Sequence, residues 1–127
     1  MVVVLILEIA SALVALAALI AMIVNMARAE KTQHARVDGK ASGHMKVAMA
    51  LVGAAVVHGV CAMVYDSGAI AATYAFGWLA AACAVACGLV MTPALRSRIG
   101  AGAPKLHRAL FIACIVFVLA HIVAGRL

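Results

Sequence analysis

Residues 44–58 read HMKVAMALVGAAVVH, and residues 107–121 read HRALFIACIVFVLAH. Each stretch begins and ends on a histidine, with thirteen residues between them. Between the histidines, Lys46 and Arg108 are the only charged side chains, both near the start of the stretch. Fourteen helical steps at about 100° each return the chain to within about 40° of its starting direction. Both members of a pair therefore share one face of a helix. The rise between them is about 21 Å, which fits inside a bilayer hydrocarbon core of about 30 Å.

The surrounding chain supports a membrane setting. Of its 127 residues, 69% are hydrophobic and only 11% are Asp, Glu, Lys or Arg. A soluble domain carries about half and about a quarter respectively, and a disordered chain is poorer still in apolar residues. Four apolar runs, at about 2–26, 45–65, 69–91 and 106–124, approach or exceed the roughly 20 residues a transmembrane helix needs. The first is too long for a signal-peptide core and has no basic segment before it, so it reads as a retained helix. The net charge of +6 does not point to nucleic acid, because most of it falls in two connecting segments. One carries Arg28, Lys31, Arg36 and Lys40 with a turn at Asp38–Gly39, and the other carries Arg96, Arg98 and Lys105. Pro93 is expected to end the third helix at Met91, leaving the second basic segment as a loop. A tight turn at Asp66, Ser67 and Gly68 joins the second and third runs.

The expected fold is all-α: a single domain over 1–127, forming a transmembrane four-helix bundle of up-down-up-down topology. The positive-inside rule assigns both basic loops to the cytoplasm and both termini to the outside, in an integral (bacterial or archaeal inner) membrane. The second and fourth helices then run parallel on a diagonal of the bundle. On that arrangement His44 levels with His107 towards the inside, and His58 with His121 towards the outside. His34, in the first basic segment, reads as a solvated residue.

Two stacked histidine pairs suit haem iron. Two neutral imidazoles fill both axial positions, and the apolar porphyrin takes the place of core side chains. Zinc would need three or four clustered donors, and each level supplies two. No C-x-x-C-H motif is present, so two haem b groups held without covalent attachment are expected. Porphyrins need room, and the third helix offers Gly77, Ala81, Ala84 and Gly88 on one face. The first helix offers Ser11, Ala15 and Ala18, ending near Met22; close helix packing through small residues explains both stripes equally well. Lys46 and Arg108 could pair with the inner haem's propionates, and Arg126 with the outer one's.

The halves echo each other: 63 residues separate His44 from His107 and His58 from His121. Two parallel helices, each with two histidines so spaced, resemble the four-helix dihaem core of b-type membrane cytochromes, specifically the amino-terminal half of cytochrome b from quinol-oxidising complexes. That resemblance implies that His44, His58, His107 and His121 are axial ligands. The chain carries no counterpart of that family's later helices or quinol-site motif, so the resemblance implies haem ligation rather than quinone chemistry.

Other residues read more plainly. Cys61, Cys83, Cys87 and Cys114 read as small buried hydrophobes, and Trp78 and Tyr74 as lipid-facing or interfacial. Glu8 is the only carboxylate within a helical run and is expected to reach out to the interface. The expected function is electron transfer across the bilayer between irons about 21 Å apart, as the membrane-anchor subunit of a larger redox complex, with redox partner subunits and a quinone or quinol as further partners. The alternatives are a histidine-based proton relay or small transporter, and a structural or assembly subunit.

Overall fold

The structure is a computed structural model; it describes the backbone of residues 1–31, 40–65 and 70–126, and the side chains of all of these except 29–31 and 40–42. The turns expected at Asp38–Gly39 and Asp66–Gly68, and the loop residue His34, lie outside the described residues. Five α-helices follow in order: α1 (Val2–Lys31), α2 (Lys40–Tyr65), α3 (Ala71–Val90), α4 (Pro93–Ile99) and α5 (Ala103–Ala124), with a single 3-10 turn at Gly100–Gly102 before α5.

Among the described residues, four segments are long and apolar enough to cross a membrane: Val2–Arg28, Gly43–Tyr65, Ala71–Val90 and Pro93–Ala124. The shortest, α3, has 20 residues, a length of about 30 Å. Large apolar side chains are exposed on every helix, for example Met49 at 69%, Leu95 at 38% and Leu119 at 58%. No large side chain among the described residues is fully buried. Helices that are apolar all round and leave such side chains outward are solvated by lipid, not water. The chain is thus all-helical and consistent with an integral membrane protein.

The helix ends differ from the sequence expectation in two places. First, α1 continues past Met26 to Lys31 and α2 starts at Lys40 rather than Met45. Arg28 sits in the last turn of α1, where a cation interacts favourably with the carbonyl end of the helix. Second, the segment after Pro93 is not a loop. Thr92 is extended (φ −64°, ψ 147°), as a residue before proline prefers, and Pro93 then opens α4. A proline stops the helix before it, yet its fixed φ and missing N–H suit the first turn of the next one. Arg96 and Arg98 consequently lie on α4. Gly100, at φ +66°, ends α4 in a conformation that only glycine takes without strain. Pro104 repeats the proline start in the first turn of α5.

The chain divides into two compact units, Met1–Cys61 and Ala62–Leu127. The boundary falls near the middle of the chain, where the 63-residue offset between histidines would put it. In the second unit, α3 and α5 pack along each other, and two hydrogen bonds fix their register. His107 bonds to Cys87 and His121 to Thr73, so residue numbers rise along one helix as they fall along the other. The helices are antiparallel. Midway between these contacts the register sets Ala80 opposite Cys114, and both are buried. Thr73, Ala80 and Cys87 are spaced by seven, as are His107, Cys114 and His121. A seven-residue step keeps a position on nearly the same side of a helix, so the α3–α5 seam has three layers with a histidine at each end. Phe76 and Phe117 stack beside it, with ring centroids 6.5 Å apart.

Candidate histidine sites

Three of the histidines make the same contact. The Nδ1 of His121 lies 2.8 Å from the carbonyl oxygen of Thr73, and that of His107 lies 2.9 Å from the carbonyl oxygen of Cys87. In the first unit the Nδ1 of His58 lies 3.2 Å from the carbonyl oxygen of Glu8. A carbonyl can only accept, so Nδ1 must carry the hydrogen and donate it. In a neutral ring this fixes the tautomer and puts the ring's lone pair on Nε2, the atom that would ligate a metal. A helical carbonyl can take this second bond because its oxygen has two lone pairs. His44 is exposed near the start of α2.

Each contact has local support. Cys87 accepts from His107 through its carbonyl, and its thiol donates back to the His107 carbonyl at 3.2 Å. Glu8's carbonyl accepts from His58 and lies 3.0 Å from the Ser11 hydroxyl, which also reaches the Leu7 carbonyl at 2.6 Å. Ser11 thereby spends its hydrogen on its own helix and braces the residue that holds His58. Gly77 lies under His121: a Cβ there would come within 3.1 Å of Nδ1 and 3.2 Å of Cε1. That is tighter than a normal contact, and glycine is what lets the ring come this close to α3.

The small-residue stripes therefore divide. On α3, Gly77 makes room for an imidazole, Ala81 and Ala84 are half-buried, and Gly88 is exposed, with nothing within 4 Å of a Cβ built there. On α1, Ser11, Ala18 and Met22 are buried and Ala15 half-buried, so that stripe does face inward. Lys46, Arg108 and Arg126 are all exposed. Trp78 is exposed and Tyr74 half-buried, in keeping with their outward reading.

Glu8 differs from its expected place at the interface. It is half-buried, and its Oε2 is buried without a hydrogen-bond partner among the described residues. Thr73 Oγ1 is in the same condition, in a residue only 7% exposed. Both orphaned atoms belong to residues whose carbonyls hold a histidine, and a buried polar group is normally satisfied. Among the described residues, polar capacity is left unused beside His58 and beside His121.

Among the described residues no three of His, Cys, Asp or Glu come together in a group able to hold a metal ion. The cysteines are free thiols, with Cys87 and Cys114 buried and Cys61 and Cys83 half-buried. The histidine–carbonyl contacts had no signature in the sequence, because the acceptors are main-chain atoms. The one available signal was the seven-residue spacing of Thr73, Ala80 and Cys87, which matches that of His107, Cys114 and His121. No family model, curated protein or solved structure matches the chain.

Proposed function

We propose that the chain is a dihaem b-type cytochrome that carries electrons across the membrane, as the membrane-anchor subunit of a larger redox complex linked to a quinone pool. The observation that carries this reading is the repeated Nδ1–H to carbonyl bond at His58, His107 and His121. Metal-ligating histidines characteristically donate the other ring N–H to a carbonyl or carboxylate, which holds the ring and raises its basicity. His44 joins them through its equivalent spacing to His58.

The residues suit the group. His44 and His107 would hold the inner haem and His58 and His121 the outer one, a pairing that rests on the matched fourteen-step spacing in α2 and α5. Bound haem supplies a one-electron couple whose potential depends on the ligands, their hydrogen bonds and burial. The chain does the rest. The carbonyls of Glu8, Cys87 and Thr73 fix ring tautomer and direction, Gly77 gives His121 its position, and the apolar helices exclude water. The orphaned Thr73 hydroxyl and Glu8 carboxylate oxygen offer hydrogen-bonding capacity beside the outer pair. Lys46, Arg108 and Arg126 are exposed cations of the sign that propionates would pair with.

A proton relay fits these contacts less well. A relaying imidazole takes a proton on one nitrogen and gives it up from the other, and here Nδ1 is committed to a main-chain oxygen that cannot take a proton onward. The test is an optical spectrum of the purified protein in detergent, oxidised and reduced, with a pyridine haemochrome count. Two low-spin b-type haems per chain are expected; a colourless protein after expression with ample haem would refute the reading.

A further inference from the structure

We propose that the elbow between α4 and α5 is a binding site for an anionic glycerophospholipid, recognised through its phosphate. Two cavities flank Pro104. One, of about 490 Å³, is lined by Arg96, Ser97, Gly100 and Ala101; the other, of about 350 Å³, by Lys105, Arg108, Ala109 and Ile112. Their walls are held by the breaks already described: Pro93 opens α4, Gly100 ends it at φ +66°, and Pro104 restarts the helix. Both cavities are shallow and open to the surface of the elbow.

Its charge is one-signed. Arg96, Arg98, Lys105 and Arg108 fall within thirteen residues, and no Asp or Glu occurs anywhere after Asp66. Ser97 gives its hydroxyl hydrogen to the Ala94 carbonyl at 2.9 Å, so attraction for an anion in the first cavity comes from Arg96. Positive-inside topology explains cations at a helix end, but not two cavities that face them. Basic pockets at helix ends bind lipid head groups, through Coulomb attraction and charge-assisted hydrogen bonds. Leu95, Leu106 and Ile112 are exposed alongside the cations. A free phosphate has no use for that apolar rim, whereas acyl chains do; this favours the lipid as the source of the phosphate.

The experiment is a titration of the full chain in detergent with phosphatidylglycerol and, separately, phosphatidylcholine, with bound lipid counted by native mass spectrometry. Phosphatidylglycerol should bind preferentially. Arg96→Gln with Lys105→Gln should weaken it about fivefold per cation, hence about 25-fold together, while Arg98→Gln, outside both cavities, keeps the preference. Ala101→Trp, which fills the first cavity without altering charge, should also weaken it and decides the matter if the double variant loses helicity. Equal binding of the two lipids, or a loss with Arg98→Gln as large as with Arg96→Gln, would overturn the site. Displacement of the lipid by millimolar inorganic phosphate would overturn the lipid as its ligand. Lipid counting is independent of pigment, so a colourless protein that prefers phosphatidylglycerol counts against the cytochrome and for this site.

Discussion

The Nδ1 of His121 is 2.8 Å from the carbonyl oxygen of Thr73, and fourteen residues earlier His107 stands in the same relation to Cys87. The two bonds close the ends of one seam between α3 and α5. They make ring orientation a property of helix register: sliding one helix along the other would break both at once. Under the proposed function such fixation favours electron transfer, because a ring that turns little reorganises little.

Gly77→Ala tests how tightly that seam is drawn. In an exposed helix interior the change would stabilise by about 0.5–1 kcal/mol. Here the added Cβ would lie 3.1 Å from His121 Nδ1, and overpacking of this kind costs about 1–3 kcal/mol. The variant should melt earlier in detergent and, if two haems bind as proposed, show a disturbed outer-haem band. Gly88→Ala, where a Cβ meets nothing within 4 Å, should keep the spectrum and lose no stability.

Tautomers can be read directly. With ¹⁵N-labelled histidine, His58, His107 and His121 in the haem-free protein should show a protonated Nδ1 and an unprotonated Nε2. The opposite tautomer at any of them would contradict the carbonyl contacts.

Thr73→Val removes an orphaned hydroxyl while keeping shape and the main-chain acceptor. A buried polar group without a partner costs about 1–3 kcal/mol, so the haem-free variant should be more stable than the parent by up to about that amount. Thermal unfolding followed by circular dichroism checks it; a clear loss of stability would mean the hydroxyl is satisfied within the folded chain.

Gly100→Ala should destabilise by about 1–3 kcal/mol, the cost of holding a residue with a Cβ at φ +66°, ψ −138°. A melting curve no different from the parent's would show that the α4–α5 elbow does not need φ +66°.

The apolar runs were readable because lipid leaves no room for charge, and the histidine faces were readable because a fourteen-residue step nearly repeats a helical direction. Less was legible at the elbow. Pro93 carries two opposite signals, a stop for α3 and a start for α4, and basic composition alone suggested a loop. Glu8 was misplaced for a related reason: a carboxylate near a helix end reads as interfacial, whereas its Oε2 is turned inward. The carbonyl partners of the histidines left no trace beyond the matched seven-residue spacings, since every residue has a carbonyl and packing selects which one is used.

The most direct test of the central claim is haem stoichiometry in single histidine variants, by pyridine haemochrome and reduced-minus-oxidised spectra. The parent should hold two b-type haems per chain, and His58→Ala and His107→Ala should each hold one, with helicity retained. A parent without pigment, or variants that keep both haems, would contradict bis-histidine ligation by these residues.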